Sequence, residues 1–365
     1  MVSLVLAGGG TAGHTSPLIA TAEQLEALDP SVQLVAVGTA KGLETTVIPE
    51  AGLELALVPA VPLPRQIKPE LFTVPFRLGN AVAKARAILK NRRADAVIGF
   101  GGYAALPVSL AALTAGIPLL LHEQNALPGI TNKIAARRAA FVGTTFPDTP
   151  LPGAHLIGLP LRRSIATLDR AAERIPARTA LGLPAEGRVV LVSGGSLGAR
   201  SINQAVADAL DSLLAAGVSV LHVLGRKNFS DDHQPIDHDS GAVYRPMAYC
   251  DRMDQAYAAA DLMLGRSGAG TVQETAAVGL PTIFVPLPHG NGEQARNAEG
   301  LVRARGAVLL PDGDCTANRL RELLPELVGS PERLAKMSQA ARELVPADAA
   351  TRLAREALRI AGGES

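Results

Sequence analysis

After the apolar run Val2 to Ala7, the chain reads Gly8, Gly9, Gly10, Thr11, Ala12, Gly13 and His14. Gly8, Gly10 and Gly13 have the spacing of a turn between a strand and a helix, where backbone N–H groups converge on an anionic or polar ligand. His14 stands at the lip of that turn, with Pro17 opening the helix. An imidazole there can take a proton from a hydroxyl, because its ordinary pKa lies close to neutrality. It can equally cap the loop through hydrogen bonds. A dinucleotide site also needs an acid at the end of the second strand to hold ribose, and Val35 to Val37 runs instead into Gly38, Thr39 and Ala40. The NAD reading lacks its confirming residue.

Five further clusters repeat the theme. Gly99, Phe100, Gly101, Gly102 and Tyr103 follow the strand Ala96 to Ile98, and serve either helix packing or ligand approach. His122, Glu123, Gln124 and Asn125 end the strand Leu119 to Leu121, at the edge where doubly wound sheets bind ligands, and suit a polyhydroxylated or amide-bearing molecule. In the second half, Ser193 to Gly198 forms another anion-receiving turn. Arg266, Ser267, Gly268, Ala269, Gly270 and Thr271 then open a helix with Glu274 one turn in. A helix start carries about half a positive charge, which favours a diphosphate without requiring a metal. Glu274 faces ribose hydroxyls or merely complements the dipole. His289, Asn291, Glu293, Gln294 and Asn297 suit sugar hydroxyls, since His289 and Glu293 are too few to ligate a metal.

These clusters need two sheets to carry them. At 365 residues the chain is long enough for two domains, and 47% apolar with 19% charged residues is a globular composition. Short strands alternate with glycine turns and helical patterns as far as Val142, then again through Val189 to Val192, Ser219 to Leu224, Ala242 to Tyr244, Leu262 to Leu264, Thr282 to Val285 and Ala307 to Leu310. Doubly wound parallel sheets follow, with strands buried on both faces. Prolines and glycines from Pro147 to Pro160 surround a last strand near His155 to Ile157, so the domains are read as 1–160 and 161–345. The segment 346–365 is read as a helix placed to pack back across the linker. Ile98 to Leu121 is long enough to span a bilayer, but Pro107, Gly116 and Pro118 divide it into strand, helix and strand. Two cysteines, Cys250 and Cys315, build neither a disulfide framework nor a zinc site, and Met1 to Ala7 reads as a strand rather than a signal peptide. The expected setting is the cytoplasm.

In this order and number the loops resemble the MurG family of peptidoglycan glycosyltransferases, over nearly the whole chain. The resemblance implies an α/β GT-B fold, two Rossmann-like doubly wound domains facing a central cleft, with the acceptor on domain 1–160 and UDP-N-acetylglucosamine (UDP-GlcNAc) mainly on domain 161–345. It implies inverting transfer of N-acetylglucosamine to undecaprenyl-pyrophosphoryl-N-acetylmuramyl-pentapeptide, lipid I, within peptidoglycan synthesis and so in cell shape and division. No cofactor is implied and metal independence is expected. By the same resemblance Gly9, Gly10, Thr11, Ala12, Gly13 and His14, with Gly101, Gly102 and Tyr103, face the acceptor diphosphate, and His14 matches the proposed base. Thr11, Ala12 and Gly13 also border the donor. Asn125 and Gln294 match donor-sugar contacts, Arg162 and Ser196 match UDP contacts, and Cys250 sits where backbone groups receive uracil. Ala269, Gly270 and Thr271 match the helix start at the donor diphosphate, and Glu274 the ribose carboxylate. Two positions depart from the pattern: Leu159 replaces an Asn before the Pro and Arg of the linker, and Glu293 replaces a glutamine.

One segment lies outside the loops. Between Arg65 and Arg93 stand eight basic residues and one acid, Glu70, in a chain of net charge +1. Arg65, Lys68, Leu71, Phe72, Phe76 and Arg77 have the composition of a peripheral anchor for the anionic inner leaflet of the cell membrane. Leu78, Val82, Ala85 and Leu89 face the core of the same helix. Few aromatics and no reading module make nucleic acid an unsuitable partner. The expected location is the cytoplasmic face of the cell membrane. A UDP-GlcNAc 2-epimerase is the rival reading: it shares scaffold and donor but has no use for a lipid-facing patch. A nucleotide-sugar sensor without catalysis is a third.

Overall fold

The computed structural model describes residues 1–61, 73–195, 198–289, 291–346 and 348–363. The chain forms two compact units, Met1–Arg162 with Ala347–Ser365, and Arg163–Pro346. In the first unit β1 (Ser3–Ala7), α1 (Ala12–Leu28), β2 (Gln33–Gly38), α2 (Glu44–Glu50), β3 (Leu55–Leu57), α3 (Val74–Arg92), β4 (Ala96–Gly99), α4 (Gly102–Ala115), β5 (Leu119–Glu123), α5 (Ile130–Ala135), β6 (Phe141–Thr144) and β7 (Ala154–Leu156) follow in turn. The strands make one sheet in the order β3-β2-β1-β4-β5-β6-β7, parallel throughout.

Both faces of this sheet are covered, which is why β1 is apolar at nearly every position. Successive side chains of a strand point to opposite faces. Val5 and Ala7 therefore join Ala85 and Leu89 of α3 and Ala104, Val108 and Ala111 of α4. Leu4 and Leu6 join Leu18, Ala22 and Leu25 of α1. The order reverses between β1 and β4, so the loops after these two strands meet at the carboxyl edge of the sheet, the crevice where open α/β sheets take ligands.

The second unit repeats the plan through α6 (Arg163–Ala166), α7 (Arg170–Ala180), β8 (Arg188–Ser193), α8 (Arg200–Ala215), β9 (Val218–Val223), β10 (Ile236–Asp237), β11 (Val243–Met247), α9 (Met253–Ala259), β12 (Leu262–Gly265), α10 (Ala269–Ala277), β13 (Thr282–Phe284), α11 (Glu293–Arg303), β14 (Ala307–Leu309), α12 (Ala317–Val328) and α13 (Pro331–Arg342). Its sheet runs β10-β11-β9-β8-β12-β13-β14, parallel except for the pair β10 and β11. Here β8 and β12 flank the reversal. Arginines of α7 secure the rear of this unit. Arg178, fully buried, donates to the carbonyls of Ala259, Pro184, Ala185 and Gly187 and to the Asp261 carboxylate. Arg170 donates to the carbonyls of Tyr257, Gly279 and Ala260, and burial lowers its pKa to about 10.

A last helix, α14 (Ala349–Ala361), belongs to the first unit and packs on α1. Leu353, Ala354 and Ala357 complete the Leu4 and Leu6 side of the core, and Thr351 donates its hydroxyl to Gln24 at 3.0 Å. Ile98 to Leu121 divides into β4, α4 and β5, and among the described residues no helix is long and apolar enough to cross a membrane.

Two prolines lie inside helices: Pro107 in α4, and Pro17 in α1, which begins at Ala12 and so is not opened by Pro17 as expected. Each removes only the hydrogen bond to the carbonyl four residues back, a loss the packed helix absorbs. The edge strands β3 and β10 were not expected, being three and two residues long.

Candidate active site

The first glycine loop closes more tightly than its spacing suggests. The amides of Gly8, Gly10 and His14 are engaged by the Val37 carbonyl, the Glu44 carboxylate and the Thr11 carbonyl, which narrows the ring open to a ligand. Because α1 starts at Ala12, His14 lies inside the first helical turn rather than ahead of it. Its Nδ1 is 3.2 Å from the Thr11 hydroxyl. The other edge of the ring lies against Gly101, where a Cβ would come within 3.1 Å of Cδ2 and 3.2 Å of Nε2. Desolvation pulls the imidazole below its ordinary pKa, against the opposing pull of the Gly9 backbone and the Glu44 charge. The ring is thus neutral, with a nitrogen able to accept a proton.

The second loop fits into the first. Gly101 and Gly102 have φ of 85° and 80°, and a Cβ on Gly102 would stand 2.3 Å from the Gly9 carbonyl oxygen. Only glycine permits both the left-handed backbone and this approach. Tyr103 follows with half its surface exposed. Glu44 escaped the sequence reading, which looked for an acid at the end of β2. The carboxylate enters instead from the first turn of α2, and its signal was the presence of glycine at positions 9, 38 and 42, all of which border it.

The cluster at the end of β5 divides. His122, Glu123 and Gln124 are buried and turned inward, so the expectation that all four residues meet a ligand is corrected. His122 Nε2 lies 2.8 Å from the Gly158 carbonyl, and burial lowers its pKa to about 4. Glu123 accepts from the amides of Asn125 and Gly129 and from the Asn132 side chain. Burial raises its pKa while those donors oppose the rise. Gln124 donates to the His122 carbonyl. Together they hold the loop that presents half-buried Asn125. Arg162 has its Nε buried with no hydrogen-bond partner among the described residues.

In the second unit, α10 starts after Gly268 with no side-chain cap and no acid in its first turn. The amides around Ala269, Gly270 and Thr271 therefore retain the capacity for an anion. The Ser267 hydroxyl, just before the helix, is buried without a partner among the described residues. Half-buried Glu274 accepts the Tyr257 phenol at 2.7 Å, which fixes its orientation. Arg266 is a scaffold residue: it donates to the carbonyls of Val285 and Pro286, to Ser201 and to Asp312. Gln294 accepts from the Leu287 amide at 3.0 Å, so its oxygen shapes the turn after β13. Cys250 is buried after β11, and burial pushes its thiol pKa up.

Ser196 lies outside the described residues, as do Arg65, Lys68, Leu71 and Phe72 of the basic segment. Within α3, Phe76 is 82% exposed and Arg77 is exposed, its guanidinium donating to the Ala60 carbonyl. Lys84, Arg86, Lys90, Arg92 and Arg93 are exposed as well, while Ala85 and Leu89 face the core and Leu78 and Val82 are half-buried.

Two doubly wound sheets, each with glycine turns at its reversal point, place the chain in the GT-B class of glycosyltransferases. It belongs to glycosyltransferase family 28: the family's N-terminal domain model matches residues 4–144 and its C-terminal domain model residues 189–353. A relative from Cutibacterium acnes, named UDP-N-acetylglucosamine--N-acetylmuramyl-(pentapeptide) pyrophosphoryl-undecaprenol N-acetylglucosamine transferase, is 55% identical over 360 residues, 97% of this chain and 96% of its own. Among solved structures, MurG of Acinetobacter baumannii superposes with a TM-score of 0.77 at 27% identity, covering 98% of this chain and 100% of that one. A UDP-GlcNAc 2-epimerase from Neisseria meningitidis, bound to UDP-GlcNAc, reaches a TM-score of 0.66 at 15% identity over 98% of this chain and 99% of its own, a likeness of fold alone.

Proposed function

We propose that the chain transfers N-acetylglucosamine from UDP-GlcNAc to undecaprenyl-pyrophosphoryl-N-acetylmuramyl-pentapeptide. The observation that carries this reading is the 55% identity with the Cutibacterium acnes transferase over 97% of the chain. Geometry supports it. The second unit takes UDP, with the diphosphate at the uncapped start of α10 and the ribose at Glu274. The first unit takes the acceptor at its paired glycine loops. His14 accepts the proton of the attacking muramyl hydroxyl, whose oxygen displaces UDP from the anomeric carbon with inversion. Charge growing on the leaving diphosphate is met by the amides of α10, fixed donors that need no reorganisation. The test is transfer of labelled N-acetylglucosamine onto a lipid-linked muramyl acceptor. Release of the manno epimer from UDP-GlcNAc alone, with no acceptor product, would favour the epimerase.

The ribose assignment has its own measurement. Hydrogen bonds to a charged group contribute about 1.5 to 3 kcal/mol, so Glu274→Ala should weaken UDP binding by roughly 10- to 150-fold in calorimetry. Tyr257→Phe, which only frees the carboxylate to turn, should weaken it less. An unchanged Kd in Glu274→Ala would remove this residue from the nucleotide site.

The protein works at the membrane surface as a peripheral protein, held by the basic residues of α3 and by Phe76. Each cation near an anionic leaflet is worth about 1 kcal/mol and is screened by salt. The chain should therefore co-sediment with vesicles rich in anionic lipid at low salt and leave them at high salt. Equal sedimentation with neutral vesicles would sink the electrostatic part of this reading.

A further inference from the structure

The first loop contains a charge that the reaction as outlined does not use. Glu44 is fully buried, and its carboxylate takes the Gly10 amide on one oxygen at 2.7 Å and the Thr39 amide and hydroxyl on the other at 2.9 and 2.8 Å. The surrounding backbone has been shaped to it. A Cβ on Gly9, Gly38 or Gly42 would fall 2.4, 2.5 or 1.9 Å from its side-chain atoms. Among the described residues it joins none of the ion pairs. A carboxylate accepts on both oxygens, as these three bonds require, whereas an amide would turn its NH2 toward the Gly10 N–H. The brace thus brings a buried negative charge into the loop, and that charge invites a second use.

Its position supplies one. Gly10, held by Glu44, sits between Gly9, whose carbonyl meets the second loop at Gly102, and the helical turn that carries His14. Around the His14 ring stand the Thr11 hydroxyl of its own helix, the Gly9 backbone and Gly101, the residue before α4, and the Glu44 charge acts on it from α2. Of these only Glu44 is charged. We propose that Glu44 is a positioning residue for the transfer reaction: it fixes the first glycine loop against the second and supplies the negative field that stabilises His14 as it gains the acceptor's proton. The division of labour is that of an acid which orients an imidazole and stabilises its cation without itself taking the proton. This inference rests on the transferase reading above for the identity of the reaction, and on the loop geometry for everything else.

The test compares Glu44→Gln, which removes the charge and the acceptor for the Gly10 amide, with Glu44→Asp, which keeps both and shortens the reach. In Glu44→Gln, turnover should fall on the order of 100-fold, the effect of a misplaced reacting group, while calorimetric UDP affinity and acceptor KM stay near wild type. The Glu44 charge raises the His14 pKa, so its removal should move the ascending limb of the kcat profile to lower pH. In Glu44→Asp, turnover should fall with that limb nearly in place. Nuclear magnetic resonance titration of the His14 imidazole, in wild type and both variants without substrate, reads the same charge independently of activity. A folded Glu44→Gln protein with wild-type turnover, or an unshifted His14 titration in it, overturns the proposal. If Glu44→Gln does not fold, a Glu44→Asp protein of wild-type turnover overturns the positioning role. A wild-type protein that makes no acceptor product, yet shows the His14 shift in Glu44→Gln, would fail the transferase reading and leave the Glu44 field intact.

Discussion

His14→Ala should fold, bind UDP with wild-type affinity and turn over about 100- to 10,000-fold more slowly, the usual loss when a general base is removed. Three features support this expectation. The ring lies where the two glycine loops of the first unit meet. In the tautomer whose Nδ1–H donates to the Thr11 hydroxyl, Nε2 keeps its lone pair on the side of Gly101. Desolvation holds the ring neutral, so the basic form is the resting form at neutral pH. The nucleotide contacts proposed above lie in the second unit, which is why affinity for UDP should survive while kcat collapses. Single-turnover kinetics beside calorimetry separates the two quantities. A folded His14→Ala protein with wild-type kcat would leave the ring as a loop cap only.

Arg178→Ala should destabilise the second unit by about 3 to 5 kcal/mol, the cost of removing one partner of a buried ion pair. Its guanidinium is fully inaccessible and satisfies four carbonyls besides Asp261. Asp261 also receives Arg174 at 2.7 Å and the Val189 amide at 2.8 Å, so truncation exposes an already crowded carboxylate to an empty space. Scanning calorimetry should show the transition of this unit lowered by on the order of 10 °C. Lysine should not rescue it, because a single ammonium cannot reproduce the fork of donors. A shift below about 1 kcal/mol would mean that water or repacking replaces those bonds.

The glycine turns and the strands before them were legible because a strand buried on both faces leaves an unbroken apolar run, and glycine marks where backbones approach. Gly101 lies against His14 and Gly102 against Gly9, two loops that the sequence brought together only through the family resemblance. What escaped was long-range. Glu44 serves Gly10 from 34 residues away, and the nearby Gly38 and Gly42 mark room for its side chain without naming the loop it braces. Arg178 reaches Asp261 across 83 residues. The inward turn of His122, Glu123 and Gln124 was hidden because a polar residue at the end of a strand has the same letter whether it meets a ligand or a carbonyl such as that of Gly158. Arg266 was unreadable for the same reason: its partners, Ser201 at the start of α8 and Asp312, stand 65 and 46 residues away.

The return of α14 to the first unit bears on how the molecule is made. Leu353, Ala354 and Ala357 fill a core whose other members, Leu4, Leu6, Leu18 and Leu25, leave the ribosome earliest. Synthesis runs from the amino end and domains generally form as they emerge. The first unit is thus sealed only after the whole second unit has been translated, and until α14 arrives that side of its core lacks its cover.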